Sequence, residues 1–124
     1  MLTNSQVTAI LPVVDLERAR KFYEEKLGLK PKEVNATDIL YECGQGTMLY
    51  LYQRSQTKAD HTAAGFSVDN LETQMDELRS RGVIFEEYDF PGLKTENGVA
   101  MMGRIKSAWF RDTEDNILAL TQRF

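Results

Sequence analysis

Two hydrophobic rhythms open the chain. From Gln6 to Val14 apolar and β-branched residues run nearly unbroken, which predicts a strand. From Asp15 the period changes: Leu16, Ala19, Phe22, Tyr23 and Leu27 recur at helical spacing and make one apolar stripe. Glu17, Lys21 and Glu25 fall on the other side as i, i+4 pairs. Asp15 stands where an N-cap carboxylate accepts from first-turn amides, and Gly28 stands where a helix ends in a left-handed residue. Three shorter apolar runs follow, Leu29 to Val34, Asp38 to Cys43 and Thr47 to Gln53, with a turn at Gly44-Gln45-Gly46. The first half thus reads β-α-β-β-β.

The same plan starts again after a polar linker, Arg54 to Asp60. Thr62 to Val68 predicts a strand. Asp69 or Asn70 caps a second helix with the stripe Leu71, Met75 and Leu78, a Glu77–Arg81 pair outside, and Gly82 at its end. Asp15 to Gly28 and Asp69 to Gly82 are both thirteen steps, which marks an internal repeat. Val83 to Phe90 is expected as the next strand and Pro91 to Lys106 as a long loop, of the kind that is usually functional or mobile. Ser107 to Arg111 and Ile117 to Gln122 are the last strands, joined by a turn over Thr113 to Asn116. The expected organisation is one domain over residues 1–124, with module one at about 1–54 and module two at about 61–124. At this size each module alone buries too little surface to be robust.

Composition narrows the function classes. Hydrophobic residues at 42% and charged ones at 27% are ordinary globular values. The net charge of −4 and the absence of a Lys/Arg patch argue against a nucleic-acid protein. No apolar run approaches membrane-spanning length, and Met1 to Ser5 lacks a basic, apolar leader, so a cytoplasmic location is expected. The single Cys43 forms no internal disulfide, and neither it nor Glu42, Glu86 or Glu87 has a partner that a motif would supply for catalysis.

The doubled β-α-β-β-β plan resembles the vicinal oxygen chelate superfamily, which contains glyoxalase I, the extradiol dioxygenases, fosfomycin-resistance enzymes and the bleomycin-resistance proteins. The resemblance rests on Val14 to Ala19, Phe22-Tyr23, Leu27-Gly28-Leu29, Phe66 to Asn70, Gly82-Val83, Ala108 to Asp112 and Asp115 to Leu118, and covers almost the whole chain. It implies an α+β fold of two curled half-barrel sheets with helices outside and a cavity within, commonly in a homodimer. It also implies metal-ligand positions at Thr8, Tyr50, Ala63 and Ala119, which in glyoxalase-type enzymes hold His, Gln or Glu. Here they hold a hydroxyl, a phenol and two methyls, so no metal and no other cofactor is expected. His61 is the only histidine, near the start of a strand, and cannot supply the several imidazoles that iron or zinc sites use.

Alternation from those positions sets the inward face. Thr8, Ile10 and Pro12 share it with Met48, Tyr50 and Tyr52; Ala63, Gly65 and Ser67 share it with Ile117, Ala119 and Thr121. Tyr50, Tyr52 and Trp109 either clamp a planar ligand or fill the curled sheet with their rings. Met101 and Met102 in the long loop are expected to contact ligand or a partner chain. Three functions remain in view. The first is metal-free binding of a small apolar or aromatic molecule at Thr8, Met48, Tyr50, Tyr52, Ala63, Trp109, Ala119, Met101 and Met102. The second is a glyoxalase-like lyase or isomerase with a non-standard metal site or none. The third is an interaction module whose cavity is closed by its own side chains.

Overall fold

The computed structural model describes all residues from Met1 to Phe124, in two compact units, Met1–Lys58 and Ala59–Phe124. The first unit contains strand β1 (Thr8–Val13), helix α1 (Leu16–Lys21), β2 (Lys30–Val34), β3 (Asp38–Glu42) and β4 (Met48–Gln53). Its sheet has the order β1-β4-β3-β2, with β1 and β4 parallel and the other pairs antiparallel. Asp15 caps α1 through its carboxylate, which accepts from the Arg18 amide at 3.1 Å.

Helix α1 does not run on as a regular α-helix. Phe22–Lys26 forms a π-helical turn in which the Leu27 amide reaches back to the Phe22 carbonyl. The wider turn lets the adjacent Phe22 and Tyr23 both be buried, at 5% and 0% exposure. Tyr23 stacks on Tyr41 of β3, with ring centroids 6.2 Å apart, so the helix covers the sheet face that carries Tyr41. Leu11, Val13, Ile39, Leu49 and Leu51 are buried with it. The ion pairs on α1 centre on Arg20, not on Lys21 as the spacing suggested: Arg20 meets Glu17 at 3.9 Å and Glu24 at 2.8 Å. The Tyr41 hydroxyl donates to the same Glu24 oxygen at 2.9 Å.

The second unit contains β5 (Thr62–Ser67), α2 (Leu71–Ser80), β6 (Asp89–Phe90), β7 (Leu93–Lys94), β8 (Ala100–Met102), β9 (Ile105–Arg111) and β10 (Ile117–Arg123). The order β5-β10-β9-β8 repeats that of the first unit, with β5 and β10 parallel. Of the two candidate caps, Asn70 does the work: its side-chain oxygen accepts from the Thr73 amide at 3.0 Å. Gly28 and Gly82 both have positive φ, 74° and 91°, as helix-ending residues require. Neither sheet closes into a barrel, and no helix is long and apolar enough to cross a membrane.

One expected strand is misplaced. The counterpart of β2 is not Val83 to Phe90 but β8, inside the segment expected to be a loop. Val83 and Phe85 are apolar because they are buried, not because they lie in a ladder. Phe85 makes an isolated bridge to Phe110 and an edge-on ring contact at 5.6 Å. The chain then projects as a small hairpin, β6 paired with β7, before it joins the sheet edge.

Candidate functional site

The inward face of the first sheet carries Thr8, Ile10 and Pro12 on β1, Met48, Tyr50 and Tyr52 on β4, and Asp38, Leu40 and Glu42 on β3. Ile10 lies beside Tyr50, which in turn faces Leu40; Tyr52 faces Asp38. No helix covers this face. Ile10 is 59% exposed, and Thr8, Met48, Tyr50, Tyr52 and Leu40 are half-buried. Two phenol rings side by side, flanked by aliphatic groups and open on one side, form a shelf for a flat apolar body. Partial burial and the neighbouring Asp38 carboxylate push the Tyr50 phenol above its ordinary value. The Asn35 amide fixes Asp38 by donating to it at 2.7 Å.

The inward face of the second sheet is different. Trp109 on β9 lies opposite Ala119 on β10, and Gly65 on β5 is the next residue across. Ser107 and Thr121 lie in the neighbouring row, 3.3 Å apart at their hydroxyls. Trp109 is only 8% exposed because Tyr88, just before the β6–β7 hairpin, and Leu93, in β7, pack onto its cluster with Ala100, Ile117 and Ala119. The Tyr88 and Trp109 rings meet edge to face at 5.6 Å. This cover could not be read from the sequence, since alternation fixes which way Trp109 points but not what comes to rest on it.

Two expected site residues sit differently from the simple pattern. At Ala63 the β5–β10 register shifts, Ile117 pairing with Thr62 and Leu118 with Ala64, so Ala63 is left over in a bulge and strand parity does not assign its face. Met101 and Met102 are not in a loop but on the edge strand β8, where the register turns Met102 to the Trp109 side and Met101 to the other. Both are largely exposed.

The residues at the would-be ligand positions do not suit a metal. Thr8, Tyr50, Ala63 and Ala119 offer a neutral hydroxyl, a protonated phenol and two methyl groups. No group of three His, Cys, Asp or Glu side chains is placed to hold an ion. His61, just before β5, is exposed and lies 3.1 Å from Asp60. A depression of about 370 Å³ lies between α2 and the segment 96–99 of the second unit, and no residue of either inward face lines it.

Two βαβββ units with open curled sheets define a class of fold, and the sequence places the chain within it. Residues 5–120 match the family model described as the Glyoxalase/Bleomycin resistance protein/Dioxygenase superfamily, and the chain belongs to that family. Among solved structures it is similar to an integron cassette protein, HFX_CASS4, from the mobile metagenome of Halifax Harbour Sewage Outfall (TM-score 0.73, 21% identity, covering 96% of this chain and 98% of that one). It is also similar to TnmS3, an antibiotic binding protein from Streptomyces sp. CB03234 (0.68, 19%, 98% and 99%). A third is the fosfomycin resistance protein FosX from Listeria monocytogenes (0.72, 12%, 98% and 94%). At these identities the likeness establishes the fold alone. No curated protein sequence matches the chain.

Proposed function

We propose that this protein binds a small, flat, apolar or aromatic molecule on the inward faces of its sheets, without a metal and without turning the molecule over. The observation that carries this reading is the uncovered shelf of Ile10, Tyr50 and Tyr52, an aromatic surface with the Asp38 carboxylate at its edge. Thr8 and Met48 border it, and Trp109, Ala119 and Met102 make a second aromatic face, which Tyr88 and Leu93 cover. The antibiotic-binding description of one relative fits this reading. Burying a ring on such a face yields roughly 25 cal/mol per Å² of apolar area, and edge or stacked ring contacts add about 0.5–1.5 kcal/mol.

The test is a thermal-shift screen of the purified protein against planar aromatics, 2-naphthol and anthraquinones among them, with and without EDTA. A ligand that binds only the native state raises the melting temperature. The expected result is a saturable rise that EDTA leaves unchanged and that Tyr50→Ala abolishes. Stoichiometric zinc, nickel, manganese or iron in protein purified without chelator, or a rise lost on EDTA treatment, would overturn the metal-free reading. A second reading is a glyoxalase-like lyase or isomerase, which a thermal rise lost on EDTA treatment would favour.

A further inference from the structure

We infer that the Tyr88 ring is a built-in occupant of the Trp109 face, and that its departure from the indole admits the aromatic ligand. This inference rests on the reading of that face as a ligand surface.

The sheet does not fill its own curve around Trp109. Its neighbours Gly65, Ala119, Ser107 and Ala100 on that face are all small, and Ile117 is the one larger side chain that the sheet adds to the buried cluster. A ring set down on the indole would meet a shallow floor bounded by Ile117. The volume is supplied from outside the sheet, by Tyr88 and Leu93. The contact Tyr88 makes is the one an aromatic guest would make, edge to face on the indole. Burial is also the first cause holding the Tyr88 phenol above its ordinary value.

The hairpin that delivers Tyr88 is a slight structure on a firm base. Its strands are two residues each, turned at Pro91-Gly92, and Phe90 near the tip is 53% exposed. At the base the Glu87 carboxylate accepts from the Thr95 hydroxyl at 2.6 Å and from the Gly98 amide at 2.8 Å. Tyr88 and Thr95 are joined there too: the Tyr88 amide donates to the Thr95 hydroxyl oxygen at 2.8 Å, and the Thr95 amide donates to the Tyr88 carbonyl at 2.9 Å. The clasp keeps the hairpin attached while the contact beyond it, ring on ring, is of a strength that a guest ring matches. Exchange of one ring for another is then close to balanced, and the ligand's apparent affinity is reduced by the fraction of molecules in which Tyr88 is in place.

The chain has one tryptophan, so Trp109 reports its own cover. The experiment compares wild type, Tyr88→Ala, Tyr88→Phe and Glu87→Gln. It reads acrylamide quenching of Trp109 fluorescence without ligand, and 2-naphthol affinity by equilibrium dialysis. In Tyr88→Ala, quenching is expected to rise and 2-naphthol to bind about 2- to 10-fold tighter. Tyr88→Phe keeps the ring and is expected to behave as wild type. Glu87→Gln, at an exposed position that removes no ring, is expected to move both readouts the same way but less. Equal or weaker 2-naphthol binding by Tyr88→Ala overturns the inference, as does unchanged quenching. Saturable binding by neither protein, with Trp109 uncovered in the variant, instead overturns the ligand reading on which the inference stands.

Discussion

At the residue scale, the most committed polar group is the Tyr41 hydroxyl. Its ring is fully buried between sheet and helix, and its one outlet is Glu24, which Arg20 also holds. Burial first, and then the Glu24 carboxylate, keep this phenol far above the ordinary range. Tyr41→Phe removes a hydrogen bond to a charged acceptor and is expected to cost roughly 1–2 kcal/mol in urea unfolding at neutral pH. The sign with pH follows from the raised folded value. The wild-type advantage is complete below the unfolded phenol value of 10.0 and shrinks as pH rises above it. Alkaline titration of the two proteins would show the gap closing. No gap at neutral pH would mean that the ring, and not the hydroxyl, carries the contribution. The strand that holds Tyr41 was legible as the apolar run from Asp38 to Cys43, but the partner of its hydroxyl was not: seventeen residues separate it from Glu24, and no local pattern joins them.

At the element scale, the helix ends are where sequence and structure agree most closely, because caps are settled by neighbours within a few residues. Asn70→Ala is expected to destabilise by about 1 kcal/mol, while Asp69→Ala stays within about 0.5 kcal/mol. Gly82→Ala forces a methyl into φ 91° and is expected to cost roughly 1–2 kcal/mol. Thermal melts of the three variants check the order. The hairpin base makes a separate prediction. The hydrogen bond from Thr95, then the Gly98 amide, then the charge of Arg79 hold the Glu87 carboxyl below its ordinary value of 4.5. Its contribution is therefore present above that value and is lost as pH falls through the lower, folded one. The difference in Trp109 quenching between wild type and Glu87→Gln should be largest at neutral pH and vanish on acidification. What failed at this scale failed for a physical reason. Val83 to Phe90 has the alternation of a strand, but a ladder also needs a partner. The partner edge of β9 is taken by Ala100–Met102, a choice made by contacts far apart in sequence.

At the scale of the whole molecule, the repeat was legible and its asymmetry was not. Both units carry the same strand order, and both helices begin on a side-chain cap and end on a glycine. Yet one inward face is bare and the other is covered by the insertion between α2 and β8. Charge-poor, aromatic lining was visible in the letters at Tyr50, Tyr52 and Trp109; whether a ring lay open or beneath another ring depended on the hairpin. The bulge at Ala63 is a similar case, since one extra residue resets the parity that the sequence seemed to continue.

The strand order carries a consequence for how the polypeptide is born. In each unit the strand made first lies against the strand made last, Thr8 beside Met48 and Gly65 beside Ala119. Neither sheet can be completed from a nascent fragment that ends inside its own unit, and pairings between such distant positions form slowly. The first unit's strands are all available while the second is still being translated, so the order of synthesis gives the amino-terminal sheet a head start over its twin.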